Sequence, residues 1–145
     1  MSDEATILFQ ASVVAINNRA LAIEGPPGAG KSSLALALIE RGARLIGDDG
    51  VTLVRQGSAI VASAPPNIAG LLEVRGVGLV KYPEGRPAPL ALVLTIGEHG
   101  ERLPETAPTR DILGIRVPCL PFEPGSIAPA ERAAWALHMH GLPAA

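Results

Sequence analysis

The stretch LAIEGPPGAGKSSLALALIERG, residues 21–42, decides how the chain is read. An apolar run over residues 20–24 has the length of a short buried strand and enters a glycine-rich turn. Gly25, Gly30, Lys31 and Ser32 satisfy G-x-x-x-x-G-K-[ST], the spacing of a Walker A phosphate-binding loop. Glycines let consecutive backbone N–H groups converge on one anion, and the helix that follows adds the partial positive charge of its N-terminus. Pro26 and Pro27 carry no N–H, so the cradle must come mainly from Gly28 through Ser32. The nucleotide-binding set is then Gly25, Gly28, Ala29, Gly30, Lys31, Ser32 and Ser33. Lys31 has the reach for the outer phosphates, and the Ser32 hydroxyl suits a place on Mg²⁺. KSSLALALIER is rich in good helix formers, and Gly42 marks its end. Strand, loop and helix are all present.

Working outward, 145 residues predict a single domain over 1–145, and 48% apolar residues suffice for a core. One Trp, one Tyr and two Phe make that core aliphatic and leave no stacking platform for single-stranded nucleic acid. A net charge of −2 with no basic stripe speaks against nucleic acid and anionic membranes as partners. Cys119 is the lone cysteine and reads as a small apolar side chain near a strand. The acidic start, MSDEATILF, does not resemble a signal peptide, and no apolar run approaches the roughly 20 residues of a membrane span. A cytoplasmic protein is expected.

Residues 6–25 predict strand, strand, turn and strand, with Asn17–Asn18 as a tight hairpin turn. ARLIG (43–47) is a short strand running into Asp48–Asp49–Gly50, and VTLVRQGSAIVAS (51–63) is a hairpin turning at Gln56–Gly57–Ser58. One helical turn is expected through Leu71–Leu72, then a strand in VGLVKY, and a longer one in LALVLTIG. ILGIRVPCLPFEPG (112–125) holds one or two extended pieces. APAERAAWALHMHG closes the chain as a helix, with Pro129 in its first turn and Trp135 anchoring it to the core. His138 and His140 lie two apart, share no helix face and read as surface or partly buried side chains. The fold class is α/β: a P-loop-containing kinase domain with a mixed sheet and a C-terminal helix.

Phosphoryl transfer needs carboxylates for Mg²⁺ and for the attacking hydroxyl. Asp48 and Asp49 end the strand after the loop's helix, and that strand is expected beside the loop's own strand, which brings the pair near the phosphates. One of the two can face the phosphate while the other supports the turn. Residues 71–80, LLEVRGVGLV, set Glu73 and Arg75 one residue apart in an apolar context. A hard carboxylate oxygen suits Mg²⁺ and a guanidinium suits a phosphate, but a salt bridge along a strand fits the pair equally well.

Together GPPGAGKS, RGARLIGDD and EVRGVG, in this order, resemble the catalytic domain of HPr kinase/phosphorylase, whose pattern is G-x-x-G-x-G-K-S, a helix ending RG.RL, DD, and E-[IV]-R-G-[LV]-G. The resemblance runs from about residue 6 to 135 and is similar to the short alphaproteobacterial form. It implies ATP and Mg²⁺ as cofactors and the phosphocarrier protein HPr, or an HPr-like protein, as partner. It implies Lys31 on the outer phosphates, Ser32, Glu73 and Asp48 around the metal, and Asp49 as the general base toward the target serine. Arg75 falls in the signature segment, and Arg102, in ERLPE, resembles the family arginine beyond the next strand. A homo-oligomer accords with the hexamers of the family's long form. Two positions depart from the pattern: Gln10 stands where the family has histidine, and Ser126 where it has an arginine after proline–glycine. Glutamine carries no positive charge and relays no proton as imidazole does, which favours the kinase direction over phosphorolysis. Ser33 stands where the family often has Glu or Asp. A nucleotide-sensing module with weak transfer is the competing expectation.

Overall fold

The computed structural model describes residues 5–65, 70–83 and 85–143. Strands β1 (Thr6–Phe9), β2 (Ser12–Ile16) and β3 (Arg19–Glu24) come first, then helix α1 (Lys31–Glu40). β4 (Arg44–Gly47), β5 (Val51–Gln56), β6 (Ala59–Ser63), β7 (Leu71–Val74), β8 (Gly78–Lys81) and β9 (Ala88–Ile96) follow. β10 (Thr109–Ile112), β11 (Ile115–Phe122) and α2 (Pro129–His140) complete the chain. No helix is long and apolar enough to cross a membrane among the described residues.

The main sheet runs β1-β5-β6-β9-β3-β2-β4, and β11 also pairs with β9. β9 is its spine: its first residues pair antiparallel with β6, and its later ones pair parallel with β11 on one side and β3 on the other. The β2–β3 hairpin turns at Asn17 (φ 50°) and Asn18 (φ 63°), which asparagine tolerates at little cost. Period-2 alternation sorts the side chains into two layers. Leu21, Ile23, Leu92 and Leu94 face α1 and α2, while Ala20, Ala22, Leu90 and Val93 face a second cluster with Val51, Leu53 and Ile60. A register shift between Ala20 and Leu21 places Leu90 and Leu92 opposite them and skips Ala91, so Ala91 and Leu92 both join the helix-side layer. Leu94 is fully buried there, and Leu94→Ala is expected to lower unfolding stability by about 2–5 kcal/mol, read from urea melts at unchanged slope.

Three local expectations need correction. β4 does not lie beside β3: the β2 arm of the hairpin already occupies that edge, so β4 pairs antiparallel with β2. Two antiparallel steps restore the direction of β3, so the end of β4 still points toward the glycine-rich loop, one strand further out. Leu71–Leu72 is strand rather than helix, since Leu71–Val74 pairs antiparallel with Gly78–Lys81 as a separate two-stranded hairpin. Trp135 does not anchor α2. Ala130, Ala133, Ala136 and Leu137 form the buried stripe, and Trp135 lies off it, 63% exposed, in an edge-on contact with His138.

Candidate active site

β3 ends at Glu24 and α1 starts at Lys31, so residues 25–30 form the turn joining a buried strand to a helix. Gly30 precedes α1 at φ 98°, a conformation glycine adopts without strain, and no side chain caps the helix. The first N–H groups of α1 therefore keep their donors for an anion at the loop. The Lys31 ammonium donates to the Gly25 carbonyl at 2.6 Å, holding the amine over the loop. Gly28, Ala29 and Ser32 lie in the same turn and first helical residues, and Ser33 is exposed.

Three segments far apart in sequence meet at Asp48. Its Oδ1 accepts from Ser32 Oγ at 2.7 Å and from Ser12 Oγ at 2.7 Å, and its Oδ2 accepts from the Glu73 backbone N–H at 3.1 Å. One carboxylate thus joins the start of α1, the start of β2 and the β7–β8 hairpin. The turn behind it is tight. A side chain at Gly47 would stand 2.6 Å from the Gly50 carbonyl oxygen, so only glycine fits between β4 and that turn. Asp49 takes φ 63°, the left-handed region, and is exposed. The division of labour between the two acids follows: Asp48 is committed to protein donors, and Asp49 lines an open cleft of about 600 Å³.

That cleft is lined by Gln10, Glu24, Lys31, Asp49, Thr95 and Glu98 among others. Arg75, in the β7–β8 turn, and Arg102, in the segment before β10, are both exposed and do not line it. Glu73 is exposed, joined to the site through its backbone rather than its carboxylate, and no ion pair links it to Arg75 among the described residues. Ser126 lies exposed before α2.

Glu24 and Thr95 are parts of this wall that sequence reading missed, as is Arg110, which pairs with Glu24 from behind the lining. Glu24 and Thr95 are register partners at the ends of β3 and β9, and Thr95 Oγ1 donates to Glu24 Oε2 at 2.8 Å. Arg110, on β10, grips the same carboxylate bidentately, with Nη1 to Oε1 at 2.9 Å and Nη2 to Oε2, and its Nη2 also meets Cys119 Sγ at 3.1 Å. Burial pushes the Glu24 carboxyl up, but hydrogen bonds from Arg110 and Thr95 and the Arg110 charge outweigh it and hold it below its ordinary 4.5. The hydrogen bond to Glu24 raises Arg110 in turn, against desolvation. The one available signal in the sequence was the acid directly before Gly25; its partner lies 86 residues away. A depressed folded-state value means the pair's stability is present above about pH 4.5 and is lost as pH falls through the native value. Arg110→Ala is accordingly expected to cost about 1–2 kcal/mol at neutral pH, discounted for the half-exposed guanidinium, with the gap to wild type closing in acid melts.

Residues 4–84 match the family model described as HPr Serine kinase C-terminal domain. This chain belongs to that family. It is 33% identical over 132 residues to the HPr kinase/phosphorylase of Chloroherpeton thalassium, covering 81% of this chain and 39% of that one. It is 36% identical over 135 residues to the HPr kinase/phosphorylase of Clostridium tetani, covering 83% of this chain and 44% of that one. The chain thus spans less than half the length of these two relatives. The solved Hpr(Ser) kinase/phosphatase of Coxiella burnetii superposes with a TM-score of 0.77 at 25% identity, over 91% of this chain and 89% of that one. The α/β fold with its mixed sheet and C-terminal helix is the fold of the HPr kinase family.

Proposed function

We propose that this chain, acting as one catalytic unit, is an ATP-dependent protein-serine kinase whose substrate is HPr or an HPr-like phosphocarrier. The observation that carries the reading is the meeting of Ser32, Asp48 and the Glu73 backbone beside a cleft lined by Lys31 and Asp49. The backbone of residues 28–32 cradles the β- and γ-phosphates, and Lys31 exchanges its Gly25 carbonyl for phosphate oxygens. Ser32 Oγ and the Asp48 carboxylate are hard oxygen donors already in contact and fit Mg²⁺, which takes few protein ligands and completes its shell with phosphates and water; the exposed Glu73 carboxylate would turn in from the hairpin to join them. Bound there, Mg²⁺ neutralises charge on the transferring group. Asp49 accepts the proton of the target serine hydroxyl as its oxygen bonds to the γ-phosphorus and the bond to the β–γ bridging oxygen breaks, releasing ADP. Arg75 and Arg102 are exposed cations available to an incoming protein substrate. A homo-oligomer is compatible with this arrangement, and a partner subunit is one source of further substrate contacts.

The test is transfer of labelled γ-phosphate from ATP·Mg²⁺ to purified HPr. Tight ATP binding without transfer would replace this reading with a nucleotide sensor. A specific observation gives that second reading its place: Gln10, which cannot serve as a cationic proton relay, lines the same cleft as Asp49. For the same reason phosphorolysis of seryl-phosphorylated HPr by orthophosphate is expected to be slow. Gln10→His is expected to raise that rate by about 10²-fold, the low end of a positioned acid–base group, in a pyrophosphate-release assay.

A further inference from the structure

Ser12 belongs to none of the phosphate-loop, acidic-turn or hairpin segments, yet it is fully buried and its hydroxyl shares Asp48 Oδ1 with Ser32. Its position follows from the inserted strand. β2 lies between β3 and β4, so the first residue of β2 fills the gap across which Asp48 must reach the start of α1. The pairing of β2 with β4 shifts register between Val13 and Val14, with Val13 opposite Gly47 and Val14 opposite Leu45, and this bulge carries Asp48 out of the ladder directly after Gly47. Ser12 and Val14 alternate onto one face, and Val14 packs in the helix-side layer under α1. A hydroxyl there is a buried polar group whose hydrogen-bond partner among the described residues is the Asp48 carboxylate.

Asp48 Oδ1 must accept from the Ser32 hydroxyl for that oxygen to turn its lone pairs toward a cation at the loop, and Oδ2 must accept from Glu73 N–H to hold the hairpin against the loop. With two donors on Oδ1 and one on Oδ2 the carboxylate has one orientation. We propose that Ser12 is a positioning residue for phosphoryl transfer: it fixes the rotamer of Asp48 and so sets the affinity of the Ser32–Asp48–Glu73 site for the metal of the nucleotide complex. The inference rests on the ATP-dependent kinase reading.

The test separates the two. A fluorescent N-methylanthraniloyl ATP is titrated with Mg²⁺, and in parallel with excess EDTA, against wild type, Ser12→Ala and Ser12→Cys, which keeps a donor at the same branch point, slightly larger and weaker. Loss of an outer-shell partner typically costs 10–100-fold in metal affinity, so Ser12→Ala should raise the half-saturating Mg²⁺ by about 10-fold or more. Ser12→Cys should fall between Ala and wild type, and metal-free nucleotide affinity should stay within about twofold, since the loop amides and Lys31 are untouched. A residue that only supported the fold would move both titrations together. Unchanged Mg²⁺ dependence in both variants, with wild-type nucleotide binding intact, overturns the proposal alone. Failure of the wild type to bind nucleotide under either condition overturns it together with the kinase reading.

Discussion

Asp49→Asn is expected to lower phosphoryl transfer to HPr by about 10²–10⁴-fold, the usual contribution of a positioned general base. Nucleotide affinity should change little, because the proposed phosphate donors are the backbone amides of residues 28–32 and Lys31 rather than Asp49. The substitution suits the backbone. Asp49 sits at φ 63°, and asparagine tolerates the left-handed region as well as aspartate does, so the turn between Gly47 and Val51 keeps its shape. The side chain keeps its volume and loses only the capacity to take the proton. Single-turnover transfer of labelled phosphate and equilibrium nucleotide binding, measured on the same preparation, check both halves. Transfer within tenfold of wild type would remove Asp49 from the base role and leave Glu98 and the Arg110-paired Glu24 as the other carboxylates lining the cleft.

Lys31→Met is expected to reduce kcat/KM for transfer by about 10²–10³-fold, the loss seen when one preorganised donor to a developing oxyanion is removed. Lys31 is the first residue of α1, with its amine 2.6 Å from the Gly25 carbonyl and its side chain on the cleft wall. Methionine matches its unbranched stem and its helix propensity, so the loop and α1 should survive. The backbone N–H groups remain, which should leave residual nucleotide binding even as transfer collapses. Steady-state kinetics with an ADP titration distinguish this from a broken loop, which would lose both. Paired with Asp49→Asn, the variant separates the proposed phosphate-binding role of Lys31 from the proposed base role of Asp49.

Much of the fold was legible because it is written in short range. The Asn17–Asn18 turn, the Gln56–Gly57–Ser58 turn, the helix after Lys31 and its stop at Gly42 each depend on residues within a few positions of one another. The strand in residues 88–96 was legible from its continuous apolar run, as expected of a strand covered on both faces. Errors came where distant chain decided. Leu71–Leu72 pairs with a strand that local helix propensity does not see. Trp135 had apolar size but the wrong angle on α2, because a stripe of alanines and Leu137 claims the core.

The sequence by itself was enough for the strand–turn–helix around residues 20–42, the order of glycine-rich turn, acid pair and EVRGVG segment, and the resemblance to its family, because each is a matter of residue type at fixed spacing. Tertiary structure alone decided which carboxylate of Asp48–Asp49 accepts from protein donors and which lines the cleft. It also revealed Glu24, Arg110 and Ser12. Their partners lie 86 residues away for the Glu24–Arg110 pair and 36 for Ser12 with Asp48. Such hydrogen bonds depend on strand order and register, above all on β2 being interposed between β3 and β4, and no local pattern encodes that order.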